Sequence, residues 1–385
     1  MYWMEWISYL NRKRPKPGSI LDQYQSQTTT PAKRVESEEG AREKYLYQRC
    51  SEHIDDHHAI YRHTNTYIDV CTYNDDKRGL ISLVLGVMYW GFGGIWLGDA
   101  LADSVPAIWN WQKSNGEAMD AEMIFVMLVD FTVLPAVLYV LLRFGLPIWR
   151  LEAFTLRRLV VRFNRKTRKV YLLRPPHLGG VAEYDWDKTE AGVPEVENAA
   201  DAAGAAGGFL LLAWETDDNQ NPYAGTSQGV DGAFLGGPCD DYAQLVGFWE
   251  YIRRFMEEGP QAAPRPRRLR TRWPNPVSSL LTVFRLNLPG GIGKLPFFRV
   301  LRVIMFPAFF IWMLGHQLSQ LLSYEGRFPK AIRRVSGESE LGSLLALIGY
   351  NLLPLLYTPL WVWPLFAWLD NQDPWLPWHW LRSWL

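Results

Sequence analysis

The sequence predicts a membrane α-helical protein of about four spans with an inserted α+β domain on the cytoplasmic side. Three observations predict it. Polar and apolar residues are segregated along the 385-residue chain, which leaves four long apolar segments. Between the second and third of these, β-prone strings alternate with polar turns and end in an amphipathic helix. Nineteen tryptophans, a high count, gather in and beside the apolar segments, as anchoring at the bilayer interface predicts.

The N-terminal region, residues 1–78, reads as cytoplasmic. Its aromatic-rich start, Met1 to Leu10, precedes the basic residues Arg12, Lys13 and Arg14. A signal peptide has the opposite order, so an interfacial segment with its basic cluster on anionic headgroups is the better reading. A frayed terminus is the plain alternative.

Residues 79–150 hold the first two spans. Gly79 to Gly98 carries no charge over about the 20 residues that a helix needs to cross the hydrocarbon core. The second span runs from about Met123 to Leu142 and contains Asp130 and Pro135. A buried acid costs roughly 3 kcal/mol in lipid on insertion scales, so Asp130 must face a partner helix or water. It reads either as a proton or ion site or as a satisfied helix-packing contact, and the packing contact is favoured.

Residues 151–259 read as the soluble α+β domain. Leu159 to Phe163 and Lys169 to Leu173 flank a polar turn, a hairpin signal. Further strands are expected at Val181 to Trp186, Phe209 to Trp214 and Ala233 to Leu235, and Ala199 to Gly208 reads as a loop. After Asp240 and Asp241, which suit a helix cap, Leu245, Phe248, Ile252 and Phe255 share one helical face. Arg253, Arg254, Glu257 and Glu258 take the other. Antiparallel strands closed by one C-terminal helix resemble the pleckstrin-homology-like barrel plan, a likeness of element order that says nothing of a ligand.

Residues 260–300 form a basic linker with an Arg-rich run from Arg265 to Arg272, either a solvated tether or a strip lying along anionic headgroups. Residues 301–385 hold the last two spans and an aromatic tail. The third span, from about Arg302 to Leu322, places His316, Gln317 and Gln320 at helical spacing. Hydrogen bonding to another helix is the favoured role for them. The fourth, from about Leu341 to Leu369, is longer than one span needs, and Pro354, Pro359 and Pro364 are expected to kink it. Trp375, Trp378, Trp380 and Trp384 suit the headgroup level. Lys113 is the only basic residue between the first two spans, while both flanks of that pair are rich in Lys and Arg. By the positive-inside rule that loop lies outside and both termini inside.

No catalytic, cofactor or metal site is expected. Cys50, His53, His57, His58, His63 and Cys71 form the most tempting cluster, and on a helix His53 and His57 would share a face. A zinc site needs further partners at fixed spacing, so a solvated polar stretch is the better reading. The run Pro289 to Lys294 lacks the glycine spacing and the hydroxyl residue of a phosphate loop. Three scattered cysteines form no disulfide framework, and zero net charge gives no pull toward nucleic acid. The remaining candidate is an intramembrane polar site at Asp130 and His316.

The two N-terminal spans, the run VRFNRKTRKVYLLRP, the string VAEYDW and the string FWEYIRRF resemble an uncharacterised family of proteobacterial membrane proteins. That family is often encoded beside type VI secretion and polymorphic-toxin genes. The resemblance covers about Gly79 to Glu258 and brings no catalytic residues with it. It implies a multi-pass protein of the bacterial inner membrane that binds a protein partner, as an immunity or accessory factor for a secreted toxin or effector. Two alternatives stand beside it: a membrane scaffold or sensor whose domain binds lipid headgroups, and a small transporter or channel subunit.

Overall fold

The computed structural model describes residues 46–73, 78–113, 116–192, 209–221, 230–239, 242–284 and 296–369. The expected interfacial segment at 1–14, the loop at 199–208, the capping pair at 240–241, the glycine run and the tryptophan tail lie outside them.

Three helices are long and apolar enough to cross a membrane, which marks the chain as a membrane protein: α1 (Leu80–Asn110), α2 (Ala121–Trp149) and the stretch Glu340–Thr358. α2 begins where the Asp120 side chain accepts the Met123 amide at 2.9 Å, which satisfies an otherwise open donor of the first turn.

The polar domain is mixed α+β, and it is assembled from both sides of the α1–α2 hairpin. Strands β1 (Ile60–His63), β2 (Tyr67–Cys71), β3 (Val160–Asn164), β4 (Lys169–Leu173) and β5 (Ala182–Asp185) form one antiparallel sheet in chain order. A second antiparallel sheet contains β6 (Glu190–Gly192), β7 (Leu210–Glu215) and β8 (Val230–Leu235). A bridge from Thr72 to Leu235 joins the two. Helix α3 (Tyr242–Glu257) buries Leu245, Phe248, Ile252 and Phe255 in their core. The ring of its Trp249 stacks on that of Trp186.

The expected domain boundary at 151 therefore shifts. β2 pairs with β3 along its whole length, from Tyr67 opposite Asn164 to Cys71 opposite Val160. The membrane hairpin is inserted between two neighbouring strands, rather than the domain between two spans. Because those strands are antiparallel neighbours, both ends of the hairpin return to one end of the sheet. The basic linker is also partly built in: the Arg270 amide donates to the Ile60 carbonyl at 2.8 Å, and Arg272 is buried. Arg253, expected on the outer face of α3, is 1% exposed. Its guanidinium lies 2.8 Å from Glu250 and 2.7 Å from Glu258, so the charge is buried as part of a network. The stretch holding His53 and His57 is a loop, not a helix, and the two histidines share no helical face.

After the linker come α4 (Pro276–Phe284), α5 (Pro296–Ile304), α6 (Phe306–Leu321), α7 (Lys330–Val335) and α8 (Glu340–Leu369). The expected third span is thus divided at Met305. Pro307 sits in the first turn of α6, where its missing amide and fixed φ start a helix but do not prolong the previous one. α6 has 16 residues, fewer than the roughly 20 of a straight span. α8 runs unbroken through its three prolines over 30 residues. Its surplus length is used against the domain, since Ser343, Ala346 and Leu347 lie beside Arg162 and Leu173.

α6 crosses the start of α1 with backbone touching backbone. A Cβ added at Gly315 would overlap the Gly79 carbonyl and Leu83, and one at Gly79 would overlap His316. Gly315→Leu is expected to force these helices apart, costing about 1–3 kcal/mol. A lower melting midpoint of the full chain in detergent checks this. Gly98→Leu, whose added atoms would meet open space, should leave the midpoint unchanged.

Candidate functional site

Charged side chains are concentrated where the sheet meets the membrane helices, and each layer of this junction solves a backbone or charge problem. Glu152 is fully buried and accepts the Gly79 and Ser82 amides at 2.9 and 2.8 Å. It caps the positive end of α1 from outside that helix. Arg157 does the converse for α6. Its guanidinium donates to the carbonyls of Gln320 at 2.9 Å and Ser323 at 2.8 Å, and also to Tyr350 of α8 at 2.8 Å. Burial pushes the Arg157 guanidinium down to about 10, which leaves it charged at neutral pH.

Arg162 projects from β3 and is 2% exposed. It forms a fork with Asp69 of β2 through Nε and Nη2, at 2.7 and 2.9 Å, and the same Nη2 lies 2.6 Å from Glu338, before α8. The rings of Tyr67 and Phe328 lie 4.0 and 4.3 Å from the guanidinium carbon. Burial works against its charge, but Asp69 and Glu338 more than offset that and hold its pKa above the usual guanidinium value. The Tyr67 hydroxyl donates to Glu338 at 2.9 Å, and burial pushes it up to about 12. Next to this cluster, Glu325 meets Arg272 at 2.6 Å and Arg158 at 3.6 Å. Arg158 also donates to the Tyr61 hydroxyl at 2.8 Å. The Glu325 amide donates to Asn351 of α8 at 2.7 Å.

On the other side of Arg158 a cleft of about 490 Å³ opens between the domain, the linker, α4 and α6. Arg158, Arg268 and Arg270 line it with His57 and His58, and Asp55 is the single carboxylate among the described lining residues. The Asp55 carboxylate is already engaged, accepting the His57 amide at 2.9 Å. His57 and His58 both have positive φ, 47° and 48°, conformations that side-chain-bearing residues adopt infrequently and that cluster at functional sites. His316 and Gln320 of α6, 2% and 8% exposed, form the floor. Since His316 abuts Gly79, the floor lies at the level where α1 begins.

The two residues expected to form one intramembrane polar site are separate. Asp130 accepts from Trp96 Nε1 at 2.7 Å and from Ser104 Oγ at 2.5 Å, both on α1. It therefore clasps the two helices of the hairpin, the packing role favoured for it. Trp96 is 17 positions beyond Gly79, about 25 Å along a helix, whereas His316 sits against Gly79. His316 instead joins a basic cleft whose arginines come from β3's approach and from the linker. No group of three or more His, Cys, Asp or Glu able to hold a metal ion is present among the described residues.

A family model described as a family of unknown function, DUF6708, matches residues 138–340. No curated protein and no solved structure matches the chain. The matched stretch runs from within α2 to the first residue of α8, and so contains Arg157, Arg158, Arg162, His316, Gln320, Glu325 and Glu338.

Proposed function

The chain belongs to this family of unknown function, DUF6708, and from that premise we propose that it acts by binding, as a membrane sensor or scaffold whose domain meets an acidic ligand at the bilayer surface. The observation that carries this reading is the cleft: three arginines and three histidines around about 490 Å³, with one already engaged carboxylate among the described lining residues. Its floor residue His316 touches the first turn of α1, which brings the cleft to the headgroup level.

Several finer features support the same reading. The loop between α1 and α2 is acidic with Lys113 as its one basic residue, and the flanks are basic, which favours a cytoplasmic domain and an inner-membrane orientation. The two joined sheets closed by α3 are akin to a pleckstrin-homology-like barrel with a membrane hairpin in one of its loops. α6, too short for a full span, would dip into the bilayer beside α1 as a fourth, partial membrane element. The network Arg158–Glu325–Arg272 joins the cleft to Tyr350 and Asn351 of α8, a route from ligand to membrane helix.

The test uses the full chain in nanodiscs. Hydrogen exchange at residues 55–58 and 268–271 is expected to slow when zwitterionic lipid is partly replaced by acidic lipid. The effect should fade at high salt, as for partly exposed charges. Identical exchange in both lipids removes the reading.

A further inference from the structure

The chemistry of the cleft is more specific than its charge. Its volume of about 490 Å³ falls in the range of small-molecule sites, roughly 300–1,000 Å³. Arginine is the side chain best matched to phosphate oxygens, because its planar fork donates two parallel hydrogen bonds. Arg268 and Arg270 of the linker bring two guanidinium groups to the cleft, and Arg158, ahead of β3, adds a third whose position is set by Tyr61 and Glu325. The walls are held by contacts independent of any ligand: Ser279 of α4 donates to Gln317 of α6 at 2.9 Å, and Arg158 is fixed by Tyr61 and Glu325.

The floor is polar and under-satisfied. The His316 ring meets the Gln320 amide nitrogen at 3.4 and 3.5 Å, the outer limit of a hydrogen bond. The Gln320 amide oxygen, buried, has no hydrogen-bond partner among the described residues. A buried polar group left this way is costly. A ligand that brings a hydroxyl to the floor relieves it, donating to the Gln320 oxygen and accepting from the imidazole or amide N–H. One wall, carrying Leu281 of α4, adds apolar surface, and the exposed Val277 on the same helix continues it outward.

We infer that the cleft is a binding site for a phosphate ester that carries a free hydroxyl, a glycerophosphate-type group, with Arg158, Arg268 and Arg270 on the phosphate and His316 and Gln320 on the hydroxyl. This rests on the surface-binding reading above and narrows it to one ligand chemistry. The group is either the headgroup of a membrane lipid or a soluble glycerol phosphate.

Native mass spectrometry of the full chain, released from mild detergent, tests it with phosphatidylglycerol and phosphatidylcholine at equal concentration. Both lipids carry the phosphate, but only the first has free hydroxyls and a net negative charge. The wild type is expected to retain phosphatidylglycerol at least about tenfold better, the equivalent of one charge-assisted hydrogen bond. The double variant Arg268→Gln/Arg270→Gln should lose that preference while keeping the wild-type melting midpoint. Arg268→Glu alone, at an exposed position of the rim, serves as a second variant with little risk to folding and should also reduce retention.

Glycerol 3-phosphate separates the sources. Displacement of the lipid by millimolar glycerol 3-phosphate supports the site with a soluble occupant, and resistance to it supports the site with a lipid occupant. Equal retention of the two lipids, or unchanged preference in both variants, overturns the proposal. If preference is absent while acidic lipid still slows exchange at 268–271, the phosphate-ester site fails and the surface-binding reading stands. If both effects are absent, both fail.

Discussion

Arg162→Met is expected to destabilise the domain by about 3–5 kcal/mol, the cost of removing one partner from a buried ion pair. The reason is what remains. Asp69 is 1% exposed, and the Glu338 side chain is 9% exposed; both have carboxylate oxygens directed at the guanidinium. Methionine fills part of the volume between Tyr67 and Phe328 but leaves two buried negative charges close together. The loss reaches beyond β3, because Glu338 leads into α8 and also receives the Arg62 guanidinium at 3.2 Å. The thermal midpoint of the full chain in nanodiscs is the readout. The triple variant Arg162→Met/Asp69→Asn/Glu338→Gln should recover part of the loss, since it also removes both carboxylate charges that faced the guanidinium. A single variant as stable as the wild type would mean that the network is not closed as described.

The second large effect concerns the fragment that the sequence alone marks as the domain. Residues 151–259, expressed by themselves, are expected not to fold. They lack β1 and β2, and with them Ile60, Ile68 and Val70 of the core, and they lack Phe328 and Ile332, which belong to the same core cluster. At about 1.5–3 kcal/mol per buried aliphatic or aromatic side chain, these losses sum to on the order of 10 kcal/mol. That is comparable to the whole stability of a typical domain. The fragment would also expose the full edge of β3, an invitation to aggregation. Circular dichroism and amide NMR decide it: a disordered or aggregated fragment is expected, and a dispersed spectrum with a cooperative melt would show that the hairpin's outer flank is dispensable.

The contrast between those boundaries and the actual ones shows where sequence carries information and where it does not. α1 and α2 are legible because an uncharged run of the right length has few other uses. β3, β4 and their turn are legible because strand, turn and strand are contiguous, and α3 because its apolar residues recur at helical spacing. β1 and β2 are not, for two physical reasons. They are short and contain Arg62 and Asp69, charges that argue for solvent until Arg162 is seen opposite. Their partner β3 also lies beyond the entire membrane hairpin, and pairing over that separation leaves no local pattern.

The site was hidden in the same way. His316 and Gln320 stood out as polar residues in an apolar helix, but nothing adjacent in sequence placed Arg158, Arg268 and Arg270 beside them. The histidine-rich stretch has the composition of a metal site, whereas His57 and His58 meet the cleft from a loop with positive φ. Asp130 was readable in kind, since an acid in a span needs a partner, but not in identity. Trp96 and Ser104 are defined only once α1 and α2 pack.

Ligand binding at the bilayer surface depends on the cleft standing at that level. The most direct measurement is collision accessibility of a nitroxide at Thr282, on the cleft wall contributed by α4, in nanodiscs. A second label at Lys188, near the β3–β4 turn at the far end of the sheet, provides the aqueous reference. Thr282 is expected to report an interfacial depth, with accessibility to oxygen raised and to a water-soluble nickel chelate lowered relative to Lys188. Water-like accessibility at Thr282, equal to that at Lys188, would contradict it and detach the basic cleft from the bilayer.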